Sequence, residues 1–156
     1  MFQTIKVTGV QVNVLQVDKR PRVLDLFCGT GSWDGPFRKL GWEVHTLDIN
    51  PKFQPTICCD LLDWDFEKFK PGHFEVIVAS PPCQLFSHAN QHKPDGLHIG
   101  DCLVLQTLRI IKHLRPKVWL LENPRMGDLA RRAYMQHIPH AFLASTGDGC
   151  RVNSMC

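Results

Sequence analysis

Val76-Ile77-Val78-Ala79-Ser80-Pro81-Pro82-Cys83-Gln84 reads as a strand that stops against a turn. Its first four residues are apolar and largely β-branched, the pattern of a strand buried on both faces of a parallel sheet. The two prolines supply no backbone N–H and cannot continue a central strand. A cysteine follows at once. In open α/β sheets ligands bind beyond the carboxyl ends of the strands, so this stretch holds a thiol on a stiff turn where a substrate would lie. A lone cysteine is most often an inert core residue; two further stretches argue otherwise here.

The first is upstream. Val23-Leu24-Asp25-Leu26-Phe27 is a second buried strand, followed by the glycine-rich turn Cys28-Gly29-Thr30-Gly31-Ser32. A short helix is predicted over about 33–40, with Pro36 near its first turn and Gly41 as its stop. A strand over 42–47 then ends in Asp48. Strand, glycine turn, helix, strand and acid make a βαβ unit. Asp48 falls roughly 20 residues past the glycines, where nucleoside-binding sheets place the carboxylate that holds ribose hydroxyls. The third glycine of the dinucleotide fingerprint is displaced to Gly35, which favours a smaller nucleoside. By itself the unit fits a helix-capping turn without a ligand about equally well. Residues 56–59 form a short third strand closed by Asp60, which either meets a base amino group or caps the next turn. Residues 61–66 enter a helical turn, broken by Pro71-Gly72.

The second stretch is downstream. Val118-Trp119-Leu120-Leu121 is another buried strand, and it ends in Glu122-Asn123-Pro124 on the same rim as Cys83. A surface ion pair is the bland role for Glu122; its place at a buried strand end argues against it. Between the two strands, residues 84–100 read as a polar loop with His88, His92 and His98, a mobile segment that closes over substrate. No cysteine or carboxylate completes a metal-ligand spacing there, so no metal is expected. Asp101 is expected to cap a helix with apolar positions at Leu103, Val104, Thr107, Leu108, Ile111 and Leu114. Lys112, His113 and Arg115 crowd its last turn and Pro116 stops it. Past Pro124 a short helix over 128–136 and a strand fragment over 142–144 are expected. At the other end, residues 5–17 alternate loosely, as in an extended segment or hairpin capping a sheet edge.

Composition bounds the class. The 156 residues suit one domain with a sizeable core, and 44% hydrophobic with 21% charged residues is ordinary for a globular chain. A net charge of +3 permits a nucleic-acid partner without arguing for one. Seven cysteines without a C-x-x-C pair indicate reduced thiols in an intracellular protein, in cytoplasm or nucleus. No signal peptide or long apolar span is visible, so no membrane role is expected.

In order, Asp25-Leu26-Phe27-Cys28-Gly29-Thr30-Gly31, Pro82-Cys83-Gln84 and Glu122-Asn123-Pro124 resemble the motifs of the cytosine-5 methyltransferases. The likeness is closest to the compact viral and bacteriophage members, whose motif reads Ser-Pro-Pro-Cys. Exocyclic-amine methyltransferases carry an aromatic residue where Cys83 stands. The resemblance implies S-adenosylmethionine as cofactor and DNA as partner, with tRNA the less favoured substrate. It makes Cys83 the covalent nucleophile and Glu122 the group that activates the base, with Asn123 and Pro124 fixing its approach. Phe27, Cys28, Gly29, Thr30 and Gly31 would line the donor pocket. Asp48 with Ile49 would sit at the ribose, Asp60 with Leu61 at the adenine, and Pro82 beside Cys83.

Four family features are not found in the sequence: an arginine-x-arginine strand after Pro124, a target-recognition region, a closing helix that would complete the donor pocket, and two of seven strands. The expected fold is therefore α/β, a Rossmann-like S-adenosylmethionine-dependent methyltransferase sheet with helices on both faces and without its C-terminal strands. It divides into an extended segment over 1–20, an incomplete catalytic domain over 21–144 and an irregular tail over 145–156. The expected activity is methyl transfer to carbon 5 of cytosine in DNA. The alternatives are a tRNA cytosine-5 methyltransferase and an inactive domain, or one completed by a second copy or a complementing subunit.

Overall fold

The computed structural model describes residues 2–7, 10–15, 20–86, 94–123, 128–136 and 153–154. Strands β1 (Phe2–Val7) and β2 (Val10–Leu15) form an antiparallel hairpin, a two-stranded sheet of its own. The main sheet contains β3 (Arg22–Leu26), β4 (Glu43–Asp48), β5 (Ile57–Cys58), β6 (Val76–Ala79), β7 (Val118–Leu121) and β8 (Asn153–Ser154). Its spatial order is β5-β4-β3-β6-β7-β8. Every pairing is parallel except β7 with β8.

The apolar strands are buried on both faces, with alternate residues facing opposite layers. Val23, Val78 and Leu120 point to one face, where Trp33, Phe37 and Trp42 pack around α1 (Asp34–Lys39). Leu24, Leu26, Ile77, Ala79, Trp119 and Leu121 point to the other. There they meet Val104, Ile110, Ile111 and Leu114 of α2 (Pro94–Leu114), together with Trp64, Phe66 and Phe74. Helices on both faces are thus borne out. A short 3-10 turn, Asp128–Arg131, and α3 (Ala133–Gln136) divide the segment read as one helix.

Two readings need correction. Helix α2 begins at Pro94, not after Asp101, so the supposed loop over 84–100 is helical in its second half. Proline at a first helical position is favourable, and Gly96 and Gly100 signal a loop only when local propensity is considered alone. A Cβ on Gly100 would lie 2.9 Å from Phe86 Cζ and 3.1 Å from Leu85 Cβ. That glycine is where the helix passes close to the turn after Cys83. Asp101 lies inside the helix instead of at its start: its carboxylate receives the Tyr134 hydroxyl at 2.7 Å and lies 3.0 Å from Arg132 Nε, tying α3 to α2. The second correction concerns the tail read as irregular. It contributes β8, a two-residue strand with no periodicity to read, defined by its register against Val118 and Trp119. The fragment expected over 142–144 lies outside the described residues, as do His88, His92 and Pro124.

Candidate active site

The strand order places a switch point between β3 and β6. From β3 the chain proceeds outward to β4 and β5, then returns to lay β6 on the other side. A crevice opens beyond the carboxyl ends of strands at such a reversal. Phe27 and the glycine turn leave β3 there; Ser80 and the prolines leave β6.

Cys83 is exposed on this rim, at the start of a 3-10 turn, Cys83–Phe86. The turn is anchored from below by Phe86, which is fully buried. β6 and β7 carry their terminal residues up together. Ala79 pairs with Leu121, and the Glu122 amide donates to the Ala79 carbonyl at 2.8 Å, extending the ladder by one step. Asn123, buried at 1% exposure, then donates its side-chain amide to the Pro81 carbonyl at 2.9 Å. Pro81 has no N–H to give, so this bond to its carbonyl fastens the Pro-Pro-Cys turn to the Glu-Asn end of β7. Cys83, Glu122 and Asn123, far apart in sequence, are brought to one rim. Glu122 is half-buried, and desolvation raises its carboxyl above the ordinary range. The Ser80 hydroxyl beside it opposes that shift, although it makes no bond of good geometry.

Between this rim and β4 lies a cavity of about 430 Å³, lined by Phe27, Leu47, Asp48, Ile49, Phe53, Cys59, Asp60, Leu61, Leu62, Ser80, Pro82, Ile99 and Leu103. Phe27, Asp48, Ile49, Asp60, Leu61 and Pro82 therefore converge on one cavity. Among the described residues, four of the six exposed large apolar side chains, Ile49, Phe53, Leu62 and Ile99, line it; Leu40 and Leu105 do not. Apolar exposure gathered on a concave surface marks a binding site more than chance. Asp48 and Asp60 are also structural. Asp48 accepts from the Gly29 amide at 3.0 Å and the Asn50 amide at 2.8 Å, while Asp60 accepts from the Leu62 amide at 2.9 Å. Asp60 thus caps a turn, one of its two readings, and also lines the cavity. A carboxylate oxygen has a second lone pair, so neither acid is exhausted by these bonds.

The glycine turn is built from left-handed backbone. Gly29 has φ +51° and Gly31 φ +82°, and a Cβ on Gly31 would meet Asp34 Oδ1 at 2.8 Å. Phe27 adopts φ +62°, a conformation that disfavours any side chain and is found at functional turns. Cys28, Gly29, Thr30 and Gly31 line a second, polar cavity of about 340 Å³ with Asp34, Arg38, Thr46 and Lys52. Phe53 borders both spaces, so the residues of the proposed cofactor set are divided across it. Cys28 is buried, and burial with Asp25 and Asp48 nearby pushes its thiol up to about 11. Cys28 is thus shielded from solvent, whereas Cys83 is exposed.

Asp25 escaped the sequence reading except as part of a motif. It is completely buried in β3, and among the described residues neither carboxylate oxygen has a hydrogen-bond partner. Desolvation, then the charges of Asp34 and Asp48, raise it to about 7; Arg38, paired with Asp34 at 2.8 Å, pulls the other way. An acid inside an otherwise apolar strand was the available signal. Phe53, Ile99 and Leu103 were also missed, because they belong to a turn and a helix that approach the cavity only through tertiary packing.

A parallel α/β sheet with a nucleoside-sized cavity at its switch point, and a thiol and a carboxyl on neighbouring strand ends, defines a Rossmann-like methyltransferase domain. Residues 21–138 match the family described as C-5 cytosine-specific DNA methylase, and the chain belongs to that family. It is 33% identical over 133 residues to the probable DNA (cytosine-5)-methyltransferase of Frog virus 3, covering 76% of this chain and 60% of that protein. To the type II methyltransferase M.NgoPII of Neisseria gonorrhoeae it is 30% identical over 144 residues, covering 83% and 39%. This chain thus spans less than two thirds of either relative. The solved S. pombe Dnmt2 methyltransferase superposes with a TM-score of 0.52 at 21% identity, covering 76% of this chain and 38% of that one. The Entamoeba histolytica methyltransferase EhMeth gives 0.52 at 20%, covering 69% and 39%. At such identities the likeness concerns the fold. Among the described residues no helix is long and apolar enough to cross a membrane.

Proposed function

We propose that this chain transfers a methyl group from S-adenosylmethionine to carbon 5 of cytosine in DNA, inside the cell, where thiols stay reduced. The observation that carries the proposal is the joining of the Pro-Pro-Cys turn to the Glu-Asn strand end, through Asn123 and Pro81, beside the apolar cavity. The cavity suits the donor: its volume lies in the ~300–1,000 Å³ range of small-molecule clefts, its walls are apolar and it carries two acids for polar groups. Phe27, Asp48, Ile49, Asp60, Leu61 and Pro82 would hold that donor, which supplies an electrophilic methyl group when bound.

Carbon 5 of cytosine is too weak a nucleophile unaided. Cys83 supplies the missing electron density: its thiolate adds to carbon 6, and the ring electron pair shifts towards carbon 5 and ring nitrogen 3. Glu122 donates a proton or a hydrogen bond at nitrogen 3, and the burial that raises its carboxyl favours the protonated form. After carbon 5 has taken the methyl group, loss of its proton to a base expels the Cys83 thiolate, restores the ring and returns the proton to Glu122. Asn123 is a positioning residue that holds the two groups in register. The target base must leave the duplex to reach Cys83.

A duplex carrying 5-fluorocytosine tests the proposal, because fluorine blocks the final proton loss. The expected result is a covalent protein–DNA adduct that requires S-adenosylmethionine, is absent in Cys83→Ser, and forms about 10²–10⁴-fold more slowly in Glu122→Gln. An adduct in Cys83→Ser would refute the nucleophile. An adduct with tRNA in place of DNA would move the substrate class. No adduct with either, while S-adenosylhomocysteine still raises the melting temperature, would leave a cofactor-binding domain without turnover.

A further inference from the structure

The opposite rim of the sheet carries a basic cleft that methyl transfer does not use. Helix α2 ends at Leu114, whose carbonyl accepts from the Gly72 amide at 2.6 Å, so the turns around 66–73 and 109–117 lie against each other. Between them is a cavity of about 390 Å³ lined by Phe66, Glu67, Arg109, Lys112, His113 and Arg115. Lys68, Lys70 and Lys117 are exposed on the same two turns. The two stretches hold six Lys and Arg against a single acid, Glu67, a larger positive surplus than the net charge of +3 on the whole chain. The reaction rim, by contrast, presents Asp48, Asp60 and Glu122.

We propose that this cleft is a phosphate-binding site that takes the backbone of a nucleic acid, at a stretch other than the one delivering the target base. Four features support it. Arg109 and Lys112 are three residues apart and share a helix face, and Arg115, just past the helix end, lines the same cavity. The planar guanidinium fork of the two arginines matches phosphate oxygens. His113 is turned inward to the Phe69 carbonyl at 3.0 Å and edge-on to Phe66, which stiffens the cleft wall. The Leu114 carbonyl is already occupied, which blunts the negative pole of the helix end towards an anion. Finally, Arg115 sits at φ +47° just past the helix, a position glycine usually fills. The chain keeps an arginine there against backbone strain, as expected where the side chain itself meets a ligand.

The preference for nucleic acid over another polyanion rests on the proposed methyl-transfer substrate, whereas the anion site itself stands independently of that reading. The test is fluorescence anisotropy of a labelled DNA duplex with the full chain, across roughly 50 to 200 mM salt. In Lys112→Gln/Arg115→Gln the plot of log affinity against log salt should be shallower by about 2, at roughly 0.9 for each phosphate no longer neutralised. The melting shift with S-adenosylhomocysteine and the Cys83 adduct at saturating duplex should not change. An unchanged slope would overturn the site, and polyglutamate displacing the duplex as readily as DNA would overturn the ligand class. Should the variant misfold, hydrogen exchange on the unaltered chain decides: duplex must protect amides in 66–70 and 109–117, and no protection overturns the proposal. Absence of the adduct with duplex binding intact would count against the methyl-transfer reading and leave this site standing.

Discussion

Replacing Asp25 by Asn separates the electrostatic cost of a buried acid from its packing. The two side chains are nearly isosteric, so the substitution changes charge and little else. In the folded chain the Asp25 carboxyl is raised from 3.8 to about 7. Between those values the folded state binds more protons than the unfolded state, so stability falls as pH rises through the window. At about 1.36 kcal/mol per tenfold change in acidity, the ionised form costs the fold up to about 4 kcal/mol above pH 7. Among the described residues neither carboxylate oxygen has a partner to offset this. The asparagine amide brings its own penalty of about 1–3 kcal/mol for unpaired polar atoms, but that penalty does not vary with pH. The informative quantity is therefore the difference between two pH values. Some of the window already lies below pH 4.5, so urea unfolding at about pH 4.5 and pH 8 should show Asp25→Asn gaining about 3 kcal/mol on the unaltered chain between the lower and the higher pH. A gain under about 1 kcal/mol, or one of opposite sign, would show that Asp25 is not desolvated as the burial implies.

Three other substitutions probe the site and its support. Gly100→Ala drives a Cβ to 2.9 Å from a buried Phe86 ring, and such overpacking should lower stability by about 1–3 kcal/mol; unaltered urea midpoints would refute the close approach. Gly31→Ala combines a positive φ with a 2.8 Å contact on Asp34, and should lower stability by about 1–3 kcal/mol; an unaltered urea midpoint would refute the strain. Asn123→Ala removes the bond to Pro81 and should cost about 1–2 kcal/mol and slow adduct formation at Cys83 while leaving cofactor binding intact; a normal adduct rate would deny Asn123 its positioning role.

Much of the reaction rim was legible in the chain itself. Strands buried on both faces announce themselves as short apolar runs, and Val23–Phe27, Val76–Ala79 and Val118–Leu121 did so because parallel strands between helices have no solvated face to dilute the signal. Pro81-Pro82 and Glu122-Asn123 marked where two of those strands stop. Local sequence also carried the turn after β3, since only glycine takes φ +82° beside Asp34 without strain. The start of α2 was misread for a related reason. Glycine there reports contact with Phe86, not a break in the helix, and a packing partner on a separate turn leaves no local trace.

What tertiary structure alone decided is how separate segments meet. Strand order put β6 beside β3 and made a switch point, which no single segment encodes. Packing brought Phe53, Ile99 and Leu103 to the cavity, buried Asp25 without partners, and laid the 66–70 turn against the end of α2 to form a basic cleft. Periodicity and turn chemistry are properties of neighbours along the chain. Desolvation and shared charge depend on neighbours in space, and those exist only once the sheet is ordered and the helices have packed onto it.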